Sequence, residues 1–297
     1  MVFLRSAFAL VLVGLVRAAV VKRQAITTLS SSQISSFAPF THFASTAYCN
    51  PSTTINWSCG ANCQANPDFV PMASGGDGSA TQFWYVGYSP SQNSVIVAHQ
   101  GTDTSQFLAD LTDANFFLES LDSSLFPGVS SSVQAHNGFA SEQASTAPAI
   151  LSHVRSTMSA FGTSSVTVVG HSLGAALALL DGLYLHIQLG SSATVKVVGF
   201  GMPRVGNQDF ANLVDSVLGG HVTHINNKED PIPIVPGRFL GFHHVSGEVH
   251  ITDSSAWENC PGQDNTSTLC IVGDVPTIFD GATGDHGGPY AGITMGC

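Results

Sequence analysis

Val166-Thr167-Val168-Val169-Gly170-His171-Ser172-Leu173-Gly174-Ala175-Ala176-Leu177-Ala178-Leu179-Leu180 decides the fold of this chain. Val166–Val169 is a short valine-rich run interrupted only by Thr167, the signature of a strand buried on both faces. Ala175–Leu180 opens an apolar helical run that extends from Ser172 to Leu189. Between them lies G-x-S-x-G, Gly170 to Gly174. A serine on a sharp strand-to-helix turn is held in a strained backbone conformation that projects its Oγ. The two glycines are needed because a Cβ at either would strike the neighbouring strand or helix. The helix start beneath the serine offers unpaired N–H groups to developing negative charge. The pattern therefore names Ser172 as a nucleophile.

Working outward, strand-like and helix-like stretches alternate. Phe83–Tyr88 and Ser94–His99, separated by Ser89–Asn93, read as a hairpin. Ala140–Ser159 repeats apolar residues at helical spacing (Ala144, Ala147, Leu151, Val154, Met158). Thr194–Gly199 reads as a strand, Asn207–Leu218 as a helix, His221–Asn226 as a strand and Val245–Ile251 as a late strand. Ile26–Ala47 reads as a helix in two pieces broken at Pro39, and Asn50–Gly78, rich in Cys, Pro, Gly and Ser, as an irregular stretch. This alternation predicts an α/β fold, a central and mostly parallel sheet with helices on both faces. With the serine turn it predicts an α/β-hydrolase arrangement in a single domain.

A serine hydroxyl needs a base and an orienting acid, in the chain order Ser, acid, His. Asp230 follows the strand His221–Asn226 and precedes Pro231-Ile232-Pro233, in the kind of strand-end loop that carries sites in such sheets. His286 lies in the Gly-rich loop Gly281–Gly288. His243-His244 is the rival pair, but its apolar surroundings (Phe239, Phe242, Val245) read as core packing.

The chain has 297 residues, 43% of them hydrophobic and 10% charged, enough to bury a sizeable core. Its net charge is −11, and four of its nine basic residues lie in the first 23 positions. Without that segment the net is −15, which excludes a phosphate-backbone or anionic-membrane partner by simple electrostatics. Residues 1–23 have the form of a secretion leader: Arg5, the apolar run Ala7–Val16, small residues at Ala18 and Ala19, then Lys22-Arg23 as a second processing point. The expected mature chain, residues 24–297, is extracellular. No later segment has 18 consecutive apolar residues, so no transmembrane helix is expected. Six cysteines suit an oxidising compartment. They allow 15 pairings, of which short spacing favours Cys59–Cys63 and Cys260–Cys270, leaving Cys49–Cys297 as a clasp. Zinc is the competing use, disfavoured by the lack of a second tight pair. Asn56 and Asn265 head usable glycosylation sequons.

The chain resembles the fungal class 3 lipase family, secreted triacylglycerol lipases and the related feruloyl esterase. The matching stretches are Tyr48-Cys49, Val95–Thr102, Ala135–Phe139, Gly170–Gly174, Gly201–Asn207, Asn226–Val235 and Gly296-Cys297, in family order. The resemblance implies Ser172 as nucleophile, Asp230 as acid and His286 as base. It implies an oxyanion hole from the backbone N–H of Thr102 and Leu173, with the Thr102 hydroxyl contributing, and it supports the three disulfides. It makes 103–118 a lid whose apolar face is Phe107, Leu108 and Leu111. Ile232, Ile234, Val235, Pro289 and Tyr290 are candidates to line the acyl groove. Gly201–Asn207 is a structural turn, so Arg204 is not made catalytic. Gln100 stands where the family carries arginine, and Gly287-Gly288 follow the base where relatives are bulkier. No metal or cofactor is required. The implied protein is a monomeric secreted serine carboxylic-ester hydrolase of lipase type. It takes an ester or lipid substrate, at an oil–water interface. A feruloyl or other aryl esterase is the alternative, and a catalytically inactive hydrolase-fold binding protein the remote one.

Overall fold

The computed structural model describes residues 25–102 and 117–297. Among them the strands are β1 Thr27–Thr28, β2 Val70–Gly75, β3 Trp84–Ser89, β4 Ser94–His99, β5 Leu118–Ser120, β6 Gln134–His136, β7 Ser165–His171, β8 Thr194–Phe200, β9 Gly206–Asn207, β10 Val222–Asn227, β11 Phe242–His243, β12 Glu248–Ile251 and β13 Trp257–Cys260. The main sheet runs β1-β13-β12-β10-β8-β7-β4-β3-β2. Its centre, β4-β7-β8-β10-β12, is parallel. Antiparallel pairs close both flanks. A small second sheet, β11-β9-β6-β5, lies apart from it in the pairing.

Alternation along the strands divides the core in two. Val95 and Val97 of β4, with Val166 and Val168 of β7, join one apolar cluster. Ile96 and Ala98, with Val169, join the other. Both faces are therefore covered, as a parallel centre requires. Helix α1, Ala38–Thr46, packs on the second cluster through Phe43 and Ala44. Three longer helices pack on the first: α2 Asn137–Phe161, α3 Leu173–Leu189 and α4 Gln208–Leu218.

The helix ends follow local chemistry. His136 caps α2, its Nδ1 accepting from the Gly138 and Phe139 N–H groups, and Gly162 ends it in a left-handed conformation at φ 64°. Asn207 caps α4 by accepting from Phe210 N–H at 2.9 Å. Pro39 sits in the first turn of α1, where its missing N–H costs nothing, so the break precedes it at Ser36-Phe37.

Among the described residues, one helical stretch, Leu173–Ser192, is long and apolar enough to cross a membrane. It contains α3, whose residues from Gly174 to Leu185 are buried inside the protein. The stretch 50–78, read as irregular, holds two short helices and the edge strand β2. That strand tolerates Pro71 because the pairing shifts between Pro71 and Ala73.

Candidate active site

β7 ends in His171, and α3 begins at Leu173, so Ser172 occupies the turn between them. Its backbone has φ 58° and ψ −129°, a left-handed conformation that costs a residue with a Cβ about 1–3 kcal/mol. The turn is closed by Ser172 N–H donating to Phe200 O at 2.9 Å and by Ala175 N–H donating to Ser172 O at 2.9 Å. The flanking glycines are obligatory. A Cβ on Gly170 would lie 2.1 Å from Gly174 O, and one on Gly174 would lie 2.3 Å from His99 O.

Asp230 follows β10 and is fully buried. Its Oδ1 accepts from Ile232 N–H at 2.9 Å, which leaves Oδ2 facing His286 Nδ1 at 2.8 Å. His286 is also fully buried, on the loop after the short 3-10 turn Thr283–Asp285. Asn227 Nδ2 donates to Asp285 O at 2.9 Å, so the acid's strand also holds the base's loop. Because the carboxylate accepts a hydrogen bond from Nδ1–H, Nε2 is the basic position. Ser172 Oγ and His286 Nε2 are both buried and have no partner among the described residues. The residue before the serine reaches the base: the His171 ring lies 4.4 Å from the His286 ring, tilted by 36°. Gly201, at φ 53°, makes room for the pair. A Cβ there would lie 2.8 Å from His286 Cε1 and 3.0 Å from Asp230 Oδ2.

Gly101 lies against the serine on its other side, since a Cβ there would sit 3.1 Å from Ser172 Cβ. This places Thr102, half-buried, next to the nucleophile on the chain leaving β4. Leu173 is the first residue of α3 and carries one of the N–H groups a helix leaves unpaired. Gln100, in place of arginine, clamps the Phe83 main chain. Its N–H donates to Phe83 O and its Oε1 accepts from Phe83 N–H, each at 2.8 Å. The neutral side chain thus extends the β3–β4 ladder instead of making an ion pair.

A family model described as Lipase (class 3) matches residues 96–240. Secreted mono- and diacylglycerol lipase MDL2 of Malassezia globosa is 35% identical over 231 residues, covering 74% of each chain. The chain belongs to the class 3 lipase family. Among solved structures it is similar to the triacylglyceride lipase of Rhizomucor miehei, at 27% identity and a TM-score of 0.77, covering 92% of this chain and 99% of that one. It is equally similar to a triacylglycerol lipase whose catalytic centre is described as a serine-protease triad: 26% identity, TM-score 0.78, with 92% and 99% covered.

This class 3 lipase carries an apolar cavity of about 680 Å³ between the loop after Asp230 and the loop before His286. Ile234 and Val235 line it with Val272, Val275, Phe239 and Phe279. The other three groove candidates do not. Ile232 and Tyr290 are fully buried in the two apolar clusters, one on each side of the sheet. Tyr290 instead donates to His286 O at 3.0 Å. Pro289 is exposed and is not among the lining residues. An apolar residue beside a catalytic one in sequence is as readily core as groove, and here burial decides. Arg204 is buried and braces the acid loop, donating through Nη1 to Ile234 O and Pro236 O and through Nε to Asp264 Oδ1 at 2.8 Å. His244 is a core histidine. It stacks 4.8 Å from His224, and burial pushes its pKa down to about 3.

The lid residues Phe107, Leu108 and Leu111 and the leader 1–23 lie outside the described residues. Disulfides join Cys49 to Cys297, Cys59 to Cys63 and Cys260 to Cys270, with no free cysteine among the described residues. Glu248 lies near the last pair, whose sulfurs are bonded to each other and so offer no thiolate to a metal. Asn56 is exposed, and Asn265 is half-buried in a tight turn in which its Oδ1 accepts from Ser267 N–H. Sequence reasoning missed the roles of Tyr48, His171, Gly201 and Tyr290 around the base.

Proposed function

We propose that this protein is a secreted lipase that hydrolyses acylglycerol esters through Ser172, His286 and Asp230. The buried Asp230–His286 hydrogen bond beside the strained serine turn is the single observation that carries the reading. His286 Nε2 takes the Ser172 proton as Oγ attacks the ester carbonyl. Asp230 holds the tautomer and stabilises the imidazolium. The N–H groups of Leu173 and Thr102, with the Thr102 hydroxyl, receive the oxyanion. Each such donor is worth roughly 3–4 kcal/mol in serine hydrolases generally. The alcohol leaves with the proton from His286, and water then hydrolyses the acyl-enzyme by the same route.

The cavity between the acid and base loops supports an acyl chain as ligand, because its walls are mostly aliphatic or aromatic, with Arg204, Arg238, Thr266 and Thr277 the polar exceptions. Phe239 and Phe279 stand at its rim, 90% and 91% exposed. Single exposed residues are ordinary, but two phenylalanines at the mouth of an apolar cavity suit contact with a lipid surface. In this reading the segment from residue 103 up to β5 acts as a lid, residues 1–23 as the leader, and the mature monomer works outside the cell. Initial rates on emulsified long-chain triacylglycerol, monoacylglycerol, a soluble short-chain ester and methyl ferulate test the reading. A higher kcat/KM on acylglycerols supports it, and a preference for methyl ferulate moves the protein to the aryl esterases.

A further inference from the structure

We infer that Tyr48, His171 and Tyr290 form a positioning relay that fixes the main-chain carbonyl of His286, with Tyr48 setting the tautomer of His171. The inference rests on His286 being the base. His286 O receives two contacts, from His171 Nε2 at 2.8 Å and from Tyr290 Oη at 3.0 Å. A carbonyl oxygen only accepts, so both partners donate. His171 therefore carries its proton on Nε2, and in the neutral ring Nδ1 must accept. Tyr48 Oη lies 2.6 Å from that Nδ1 and supplies the proton. The chain of donation runs from Tyr48 through His171 to the backbone of the base.

The neutral state this requires is favoured by the surroundings. His171 is buried, and burial with the nearby His286 holds its pKa well below the ordinary histidine range. A protonated His171 would place a second cation 4.4 Å, ring to ring, from the imidazolium that forms in catalysis. The relay also reaches the opposite side of the site. A Cβ on Gly101 would lie 2.2 Å from Tyr48 Oη and 2.5 Å from His171 O. The tyrosine hydroxyl is thus seated beneath the segment that leads to Thr102, while its partner ring is the residue before the nucleophile. One side chain touches the oxyanion segment and, through one ring, the base. Its own position is fixed covalently: the next residue, Cys49, is bonded to Cys297. Ser45 Oγ and Asn62 Nδ2 also donate to Gly296 O, at 2.7 and 2.8 Å, where the segment that follows the base ends.

Removing the Tyr48 hydroxyl frees His171 to move its proton to Nδ1. The bare Nε2 lone pair would then face the His286 carbonyl, turning an attraction into a repulsion. The test is steady-state kinetics on a soluble ester for Tyr48→Phe, Tyr290→Phe, the double variant, His171→Gln and His171→Leu, each first checked for a native thermal transition. It is combined with nitrogen NMR of histidine-labelled Ser172→Ala protein, where the tautomer is read without turnover. The expected result is about a tenfold fall in kcat for Tyr48→Phe with KM within about twofold, because alignment of the base matters in the transition state. His171→Gln, which keeps a donor toward His286 O, should retain more activity than His171→Leu. The double tyrosine variant should lose more than the product of the two single losses, since each single change leaves one donor in place. The His171 resonances, assigned by their absence in His171→Leu, should show Nε2 protonated, shifting toward Nδ1 in the Tyr48→Phe background. An Nδ1-protonated His171 in the parent, or unchanged kcat in Tyr48→Phe and His171→Leu, overturns the relay. Turnover by Ser172→Ala would instead overturn the catalytic reading beneath it.

Discussion

Gly201→Ala separates a catalytic effect from a folding effect more cleanly than any triad substitution. Gly201 has φ 53°, so alanine there carries the left-handed cost of about 1–3 kcal/mol. The added methyl also lies 2.8 Å from His286 Cε1, 2.9 Å from Nδ1 and 3.0 Å from Asp230 Oδ2. Ordinary contact begins near 3.4 Å. The His286–Asp230 pair must therefore give by about half an ångström against fully buried surroundings. A misplacement on the order of 1 Å costs up to about a hundredfold in rate, so kcat should fall about ten- to a hundredfold, with KM little changed. Gly162→Ala is the control. It has a similar φ, 64°, at the end of α2, and nothing lies within 4 Å of the added methyl. Both variants should lower the midpoint of thermal unfolding by about 2–12 °C, taking roughly 2–4 °C per kcal/mol for a chain of this size. The assay is hydrolysis of a soluble p-nitrophenyl ester, with unfolding followed by circular dichroism. Equal kcat in the two variants would refute the claim that Gly201 is small because the base and acid need the space.

Glu248 is buried, and desolvation pushes its pKa up to about 8. Because the folded value is raised, its contribution to stability is full below the unfolded value of 4.5 and is lost as pH rises through about 8. Glu248→Gln should flatten the fall in unfolding free energy across that window, as read from urea titrations at several pH values. The Cys49–Cys297 bond spans 248 residues, for which the chain-entropy estimate is about 5 kcal/mol. The Cys49→Ser, Cys297→Ser double variant should therefore unfold at lower temperature. On heating it should lose activity before sheet circular dichroism, because the bond also anchors the segment after His286. Phe239→Ser with Phe279→Ser should lower the rate on emulsified triacylglycerol several-fold while leaving a soluble short-chain ester within about twofold; equal losses on the two substrates would count against a lipid-facing rim.

The strands that carry the site were legible because they are short valine-rich, β-branched runs bounded by turn residues. Val166–Val169 and Thr194–Gly199 need no tertiary information to be read as strands, the second of them exposed at Thr194 and Lys196 and buried from Val197 on. Strand β2 was hidden by Pro71 and Gly75, which on an interior strand would argue against pairing and at a shifted edge do not. The small sheet was invisible for another reason: β9 and β11 have two residues each, too few for any periodicity. Ser172 was legible from the spacing of two glycines around it. Asp230 and His286 were not distinguishable from the other downstream carboxylates and histidines by pattern alone, and the resemblance to class 3 lipases separated them. The partners of the base lay beyond reach. Tyr48 and His171 are 123 residues apart, and their contact exists only because β7 and the segment after α1 converge beneath Gly101. Tyr290 was placed in the groove because it is aromatic and close to His286, and burial in the core instead turns its hydroxyl onto the backbone of the base.

The most direct test of the central claim is reaction of the pure mature protein with an organophosphonate ester, followed by intact mass and peptide mapping alongside residual esterase activity. The account predicts one phosphonyl group per chain, on Ser172, with activity falling in proportion to labelling and no labelling of Ser172→Ala. Full activity in a protein labelled at Ser172, or stoichiometric labelling at another residue with loss of activity, would contradict it.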